Sequence, residues 1–337
     1  MNNHRKLFVQ NLLAYAVQRD VSAQLLCSLS GIDMELLQKS GEFEPTPKQM
    51  NDLWVNACHV SNDQLFGLHF GESLQLTALG VVGDIIKSSS TIGEAVTLST
   101  KLTHLLTDLF HIDLARTNET FTMHFIPHAS EKEKPSFSFL QTIDFFMVFV
   151  IHEMNGLLLT KLKPVSVCFP HTVSDINEYE RVLRCRPVKK PGEYSITFSN
   201  RLWDEPVITH NYELQTLLLK KINDELPSAN RESYRSKVYN YLLTNSYLGL
   251  VSLEEIAANF NVSARWMQRK LKEEGVSYQQ VADDIRKSLA LYYLNAGNYP
   301  VKEISYLLGY NEISAFSRAF KRWTGTTPVG YQKGNKS

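Results

Sequence analysis

The chain has 337 residues, 43% of them hydrophobic and 21% charged, with 35 basic side chains balancing 35 acidic ones. That size and balance suit a globular protein of two or three domains. They exclude a membrane span read from an unbroken run of roughly 18 apolar residues, because the longest candidate, Phe145 to Ile151, is interrupted by His152-Glu153.

The N-terminal Met1-Asn-Asn-His-Arg-Lys-Leu7 lacks a secretory apolar core. Cys27, Cys58, Cys168 and Cys185 form no CxxC pair, which predicts ordinary thiols in a reducing, cytoplasmic setting. Charge is unevenly distributed. Residues 231–337 hold 15 Lys+Arg against 9 Asp+Glu, a surplus of six, and the preceding residues carry the matching acidic excess with all ten histidines. A basic C-terminal third on an acidic body points to one nucleic-acid module joined to something else.

In chain order, residues 5–70 read as helical. Leu7, Leu12, Leu13 and Val17, then Leu53, Val55 and Cys58, recur at helix spacing. Thr46-Pro47 has the form of a helix start, and Phe66-Gly-Leu-His-Phe-Gly71 closes the bundle. Ala78 to Ile86 and Gly93 to Phe110 continue as helices, broken by Ser88-Ser-Ser-Thr91. The period then changes to two. Ile112 to Arg116 and Phe121 to Ile126 flank Thr117-Asn-Glu-Thr120, which predicts a hairpin. Phe137 to Thr160 is a long apolar helix, Val165 to Phe169 a buried strand, and Asp175 to Leu183 a short helix. Val188-Lys189 and Tyr194 to Phe198 are strands joined by the turn Lys190-Pro-Gly192. The mixture predicts an α+β domain. A helix follows from His210 to about Leu226, and the polar Pro227-Ser-Ala-Asn230 marks a domain boundary.

Beyond that boundary one pattern occurs twice. Glu255-Ile-Ala-Ala-Asn-Phe-Asn261 leads into a basic segment ending at Lys272, and Glu303-Ile-Ser-Tyr-Leu-Leu-Gly309 into another ending at Lys321. Each reads as a helix, a tight turn and a second helix, so the C-terminal domain is all-α with two helix-turn-helix units. Ser252-Leu-Glu-Glu255 has capping-box spacing, and Leu253, Ile256, Ala257 and Phe260 form the inward face. Asn261 and Gly309 stand where a left-handed residue closes the turn, and Pro300 starts the second unit. Met267 and Leu271, then Phe316 and Phe320, face inward. That leaves Arg265, Gln268, Arg269 and Lys272 on one outer stripe and Ile313, Ser314, Ser317, Arg318 and Lys321 on the other. Arg pairs with guanine and Gln with adenine through two parallel hydrogen bonds, which suits these stripes to double-stranded DNA. Tyr278, Val281, Ile285, Leu289 and Leu294 predict a long connecting helix, stopped by Gly297-Asn-Tyr-Pro300. About 18 residues at 1.5 Å each span roughly 27 Å, against about 34 Å between successive major grooves on one face of the duplex.

Ile304-Ser-Tyr-Leu-Leu-Gly-Tyr310, followed by Ser314-Ala-Phe-Ser-Arg-Ala-Phe-Lys-Arg-Trp-Thr-Gly-Thr-Thr-Pro328 and Tyr331, resembles the DNA-binding domain of the AraC/XylS family of bacterial transcription regulators, over roughly Tyr234 to Gln332. The resemblance implies that the third and sixth helices of that domain enter two adjacent major grooves, with base contacts from Arg265, Gln268, Arg269, Ile313, Ser314, Ser317 and Arg318. Asn261 departs from the usual glycine of that turn. Leu79-Gly80, Thr91-Ile-Gly-Glu-Ala95, Glu178-Tyr179, Cys185 and Asn200-Arg-Leu-Trp-Asp-Glu-Pro-Val207 resemble the arabinose-binding-like sensor domain attached to some members. Contact with RNA polymerase follows from the resemblance alone.

Little in the chain suggests catalysis. His152-Glu-Met-Asn-Gly156 begins like a zinc-binding HExxH, but Gly156 stands where the second histidine is needed. No phosphate-cradling loop ending in Lys-Ser/Thr, GxSxG elbow or zinc-finger spacing occurs. His104, His111, His124 and His128 lack ligand spacing. Phe137, Phe139, Phe145, Phe146 and Phe149 form either core or the wall of an apolar pocket.

The sequence therefore predicts a sensor and dimerisation domain over residues 1–226 and a DNA-binding domain over residues 227–337. The expected function is that of a cytoplasmic, homodimeric transcription activator that answers a small-molecule effector, without metal, cofactor, enzyme activity or membrane partner. Regulation by abundance or by a protein partner is the alternative.

Overall fold

The computed structural model describes residues 4–39, 43–158, 161–208, 233–245, 251–296, 299–310 and 312–334. The chain divides into two compact units, Met1–Thr209 and His210–Ser337. The helix expected from His210 to Leu226 and the boundary expected at Pro227-Ser-Ala-Asn230 lie outside the described residues.

The first unit opens with α1 (His4–Val17), α2 (Ala23–Leu29), α3 (Met34–Gln38), α4 (Pro47–Ser61) and α5 (Phe66–Ser73). A full capping box starts α4: Gln49 N–H donates to Thr46 Oγ1 at 3.2 Å and Thr46 N–H to Gln49 Oε1 at 2.9 Å, with Pro47 in the first turn. The buried stripe of α1 is Phe8, Val9, Leu12, Leu13, Tyr15 and Ala16. Val17 and Val55, read from spacing as inward, are 43% and 40% exposed. The aromatic pairs of Phe8 with Trp54, Phe70 and Phe145 and of Tyr15 with Phe66 rotate the packed face away from Val17.

A 3₁₀ turn at Leu76–Leu79, α6 (Val81–Lys87) and α7 (Ile92–Leu102) follow. The helix expected through to Phe110 ends at Leu102. Phe110 instead opens β1 (Phe110–Arg116), paired antiparallel with β2 (Thr120–Pro127). Ladder pairing carries the Phe110 ring into the core against Phe125, Phe139 and Phe146, which outweighs the helical spacing. The short α8 (Ala129–Lys132) then leads to α9 (Phe137–Leu158).

After α9 come β3 (Ser166–Phe169), α10 (Ile176–Leu183), β4 (Val188–Lys189) and β5 (Ser195–Ser199). The sheet order is β1-β2-β5-β3-β4. Glu193 N–H does donate back to Lys190 in the expected turn, at 3.1 Å. Even so, β3 lies between β4 and β5, and the two-residue β4 runs parallel to β3. Phe121, Met123, Phe125, Val167, Ile196 and Phe198 are all fully buried in the core.

By length and apolar composition α9 could cross a membrane, but 83% of that stretch is buried inside the protein. Its polar side chains satisfy buried partners on other segments. Gln141 accepts from Gly67 N–H at 2.8 Å and donates to the Gln64 carbonyl at 3.1 Å. Asp144 accepts from the Tyr179 hydroxyl at 2.6 Å, Glu153 from Leu76 N–H at 2.9 Å, and Asn155 from Leu162 N–H at 2.7 Å. Beside them, His69 bridges Asp63 at 2.7 Å and Glu178 at 2.9 Å. Arg181 forks onto Glu72 at 3.0 Å and reaches Glu178 at 2.6 Å, tying α10 to α5.

The second unit is helical: α11 (Tyr234–Asn245), α12 (Leu253–Asn259), α13 (Ala264–Glu273), α14 (Tyr278–Ala296), α15 (Val301–Leu307), α16 (Ile313–Thr324) and α17 (Pro328–Gly334). One apolar cluster unites them. Ile256, Met267 and Leu271 belong to the same core as Ile285, Leu289, Ile304, Phe316 and Phe320. The nineteen-residue α14 runs through that core and joins the two halves.

Candidate nucleic-acid interface

Each half is assembled by local chemistry. Ser252 caps α12, accepting from Glu255 N–H at 3.1 Å while Glu255 accepts from Ser252 N–H at 2.7 Å. Asn261 then turns left-handed at φ 52°, and Val262 N–H closes back on the Ala257 carbonyl at 2.9 Å. Ser263 caps α13 by accepting from Trp266 N–H at 3.2 Å. In the second half Gly309 has φ 79° and Tyr310 N–H returns to the Ser305 carbonyl at 3.0 Å. Here Pro300 precedes α15, and Glu312 precedes α16 without a side-chain cap bond. Gly275 and Gly325 end the second helices at φ 76° and 81°.

The two second helices correspond with an offset of 49 residues, the difference between Met267 and Phe316 and between Leu271 and Phe320, all buried. On the outer side the same offset pairs Arg265 with Ser314, Gln268 with Ser317, Arg269 with Arg318 and Lys272 with Lys321. Arg265, Gln268, Arg269 and Lys272 are exposed on α13; Ile313, Ser314, Arg318 and Lys321 are exposed on α16, and Ser317 is half-buried. Only the Arg and Lys positions keep their chemistry in both. Each helix thus keeps a guanidinium and an ammonium three residues apart, Arg269 with Lys272 and Arg318 with Lys321, beside neighbours that differ, Arg265 against Ser314 among them.

The two arginines are not held alike. Arg269 Nε lies 3.6 Å from Glu273, which Lys270 also reaches at 2.9 Å. The Lys270 hydrogen bond, helped by the charges of Lys270 and Arg269, holds the Glu273 carboxyl below its usual range against the opposing effect of desolvation. Among the described residues Arg318 has no ion-pair partner. An unpaired guanidinium keeps its full fork of donors for another acceptor.

Further groups fix the helices in place, and pattern alone does not mark them. Glu274, just past α13, accepts from the N–H groups of Tyr234 at 2.7 Å and Arg235 at 2.8 Å, capping α11. The Tyr234 and Trp266 rings meet edge-on at 5.1 Å, flanked by Lys237 and Lys270. Arg322 on α16 donates to Asp283 on α14 at 2.8 Å. Arg286 lies 3.6 Å from the same carboxylate and sits over the Tyr310 ring. Asp283 and Arg286 are visible in the sequence as a helical i,i+3 pair, whereas Arg322 is 39 residues from its partner.

The remaining candidates fall elsewhere. His152 and Glu153 are buried within α9. His111 and His128 stack at 5.7 Å beside the hairpin. Phe139, Phe145, Phe146 and Phe149 are at most 5% exposed and form core.

Two family models match. The arabinose-binding domain of AraC transcription regulator, N-terminal, spans residues 21–207, more than half of the chain, and a helix-turn-helix domain spans residues 256–334. An ornithine utilization regulator of Pseudomonas aeruginosa is 25% identical over 331 residues, covering 97% of this chain and 95% of its own length. A urease operon transcriptional activator of Escherichia coli is 25% identical over 181 residues, 53% of this chain and 58% of its own. The crystal structure of transcriptional regulator CdpR from Pseudomonas aeruginosa is 24% identical and covers 92% of this chain and 96% of that one, with a TM-score of 0.42.

Proposed function

The chain belongs to the AraC family of transcription regulators, and on that premise we propose that Arg265, Gln268, Arg269 and Lys272 form one DNA-reading face and Ile313, Ser314, Ser317, Arg318 and Lys321 the other. Residues 227–337 form the DNA-binding domain, and residues 1–226 sense a small molecule and pair with a second copy. The carrying observation is the repeat itself. Two helices offset by 49 residues turn the same Arg and Lys positions outward from one shared core. A connecting helix of nineteen residues, about 28 Å long at 1.5 Å per residue, suits two faces reading adjacent major grooves of one duplex.

The working state is a cytoplasmic homodimer that activates transcription through contact with RNA polymerase once its effector binds. The relative named as an operon activator supports the positive sign. A switch of this kind requires an effector with different affinity for two states of the protein.

Selection of binding sites from random duplex DNA by the full-length protein tests the reading. It should return a bipartite site with half-elements one helical turn apart. Enrichment of no sequence, with candidate effectors supplied, would overturn it.

A further inference from the structure

We propose that a cavity inside the first unit is the effector site, and that it takes a small primary amine carrying an oxygen acceptor, of the amino-alcohol or amino-acid class. The inference rests on the sensor role proposed for that unit. The cavity is about 230 Å³, partly open to solvent, and lined by α1, Pro45 and α4, the segment 106–109, Glu131 of α8 and the start of α9. That is below the roughly 300–1,000 Å³ of sites for larger ligands, and holds the equivalent of roughly eight waters at about 30 Å³ each.

Three buried groups point to a ligand. Trp54 is 0% exposed and lines the cavity, yet its indole Nε1–H has no acceptor. Other buried side-chain atoms of the described residues also lack a partner, among them Ser30 Oγ and Trp323 Nε1, but Trp54 is the residue of this kind that lines the cavity, where an acceptor would satisfy its donor. Glu131, 8% exposed, uses Oε2 to accept from Ser136 N–H at 2.6 Å. Its other oxygen has no hydrogen-bond partner among the described residues. The hydroxyl of Thr142, 4% exposed on the same wall, likewise makes no hydrogen bond among the described residues.

Charge selects the ligand class. Arg5, Asp108 and Glu131 are the charged residues lining the cavity. Arg5 is already engaged, 2.8 Å from Glu44 and 3.4 Å from Asp108. The charge left without a counterpart is the Glu131 carboxylate, so the complementary ligand is cationic. An ammonium donates to Glu131, an oxygen of the same molecule accepts from Trp54 Nε1, and the short carbon chain lies against Phe8, Met50 and Pro47. Such a molecule joins α4 to α8 and the start of α9 across the cavity that they line.

The test uses full-length protein and short-chain amino alcohols, with diols and hydroxy acids of equal length as neutral and anionic counterparts. Binding is read by calorimetry and by tryptophan emission. Glu131→Gln keeps an oxygen for the Ser136 N–H, and Trp54→Phe keeps the ring. Amine binding that falls roughly tenfold or more in both variants, with diols and hydroxy acids silent, is the expected result. Equal binding of the neutral or anionic counterparts, unchanged amine affinity in Glu131→Gln, or no binding by any amine would overturn the assignment. DNA selection is measured in parallel. If a different metabolite alters DNA affinity equally in wild type and both variants, the cavity assignment fails and the sensor reading stands. If no metabolite alters it, the sensor reading itself fails.

Discussion

Gly67 donates its backbone N–H to Gln141 Oε1 at 2.8 Å, and the carbonyl oxygen of Gln141 occupies the space a Cβ on Gly67 would need. One turn further, a Cβ on Gly71 would stand 2.5 Å from the Phe145 carbonyl oxygen. The two glycines therefore let α5 lie backbone against backbone on α9. Gly67→Ala must push the helices apart or break the hydrogen bond. We expect a loss of about 1–3 kcal/mol, read as a lower thermal midpoint of the full-length protein. An unchanged midpoint would mean that this contact is not made.

Arg318 and Arg269 should differ in what they contribute. Arg318 is unpaired among the described residues, whereas Arg269 lies 3.6 Å from Glu273. Arg318→Ala should cost about 1–3 kcal/mol at the selected site and relax preference at one base step. Arg269→Ala should cost less, because its guanidinium must first leave a carboxylate. Binding to duplexes substituted one base pair at a time measures both. An Arg318→Ala loss of equal size on every duplex would show contact with phosphate instead of a base.

The buried charges of the first unit predict a pH profile. Burial alone would lower the pKa of His69, but hydrogen bonds and charges from Asp63 and Glu178 outweigh it and raise it to about 9. Its unperturbed value is 6.5, so its contribution is complete below pH 6.5 and is lost as pH rises toward 9. Burial pushes Asp144 up to about 7, so its cost is fully developed by that pH. Stability should therefore fall between pH 7 and 9 through His69, by about 1–3 kcal/mol. His69→Gln should flatten that limb. On the acid side, burial lowers His152 to about 4, and its contribution is lost as pH falls from 6.5 to 4. Glu178, held at about 2 by His69 and Arg181 against burial, loses its contribution from pH 4.5 downward. Thermal midpoints across this range give the test; a rise from pH 7 to 9 would contradict the charged His69.

Ile256 is fully buried in the cluster that both helix-turn-helix halves share. Ile256→Asp places a carboxylate there without a partner, at a cost of about 4 kcal/mol or more. Because the core is common, DNA binding by both reading faces should disappear together. Retention of wild-type affinity for either half-element would show that the halves fold independently.

The repeated helix-turn-helix, the 112–126 hairpin and the start of α4 are legible from the sequence because their determinants are local. A capping serine meets a backbone N–H three residues on, Asn261 and Gly309 supply left-handed turns, and apolar residues at helical spacing choose a buried side. Local spacing failed where distant packing competed with it. Val17 and Val55 turn outward, Phe110 leaves its helix for a strand, and β3 lies between strands joined by a turn. Tertiary structure alone decides the pairs of Arg181 with Glu72, Arg322 with Asp283, and Glu274 with the start of α11. It also brings Trp54, Glu131 and Thr142, which are far apart in the sequence, to the lining of one cavity. Hydrogen bonds within a few residues are set by backbone geometry that the chain carries everywhere. Partners tens of residues apart meet only after the helices have packed.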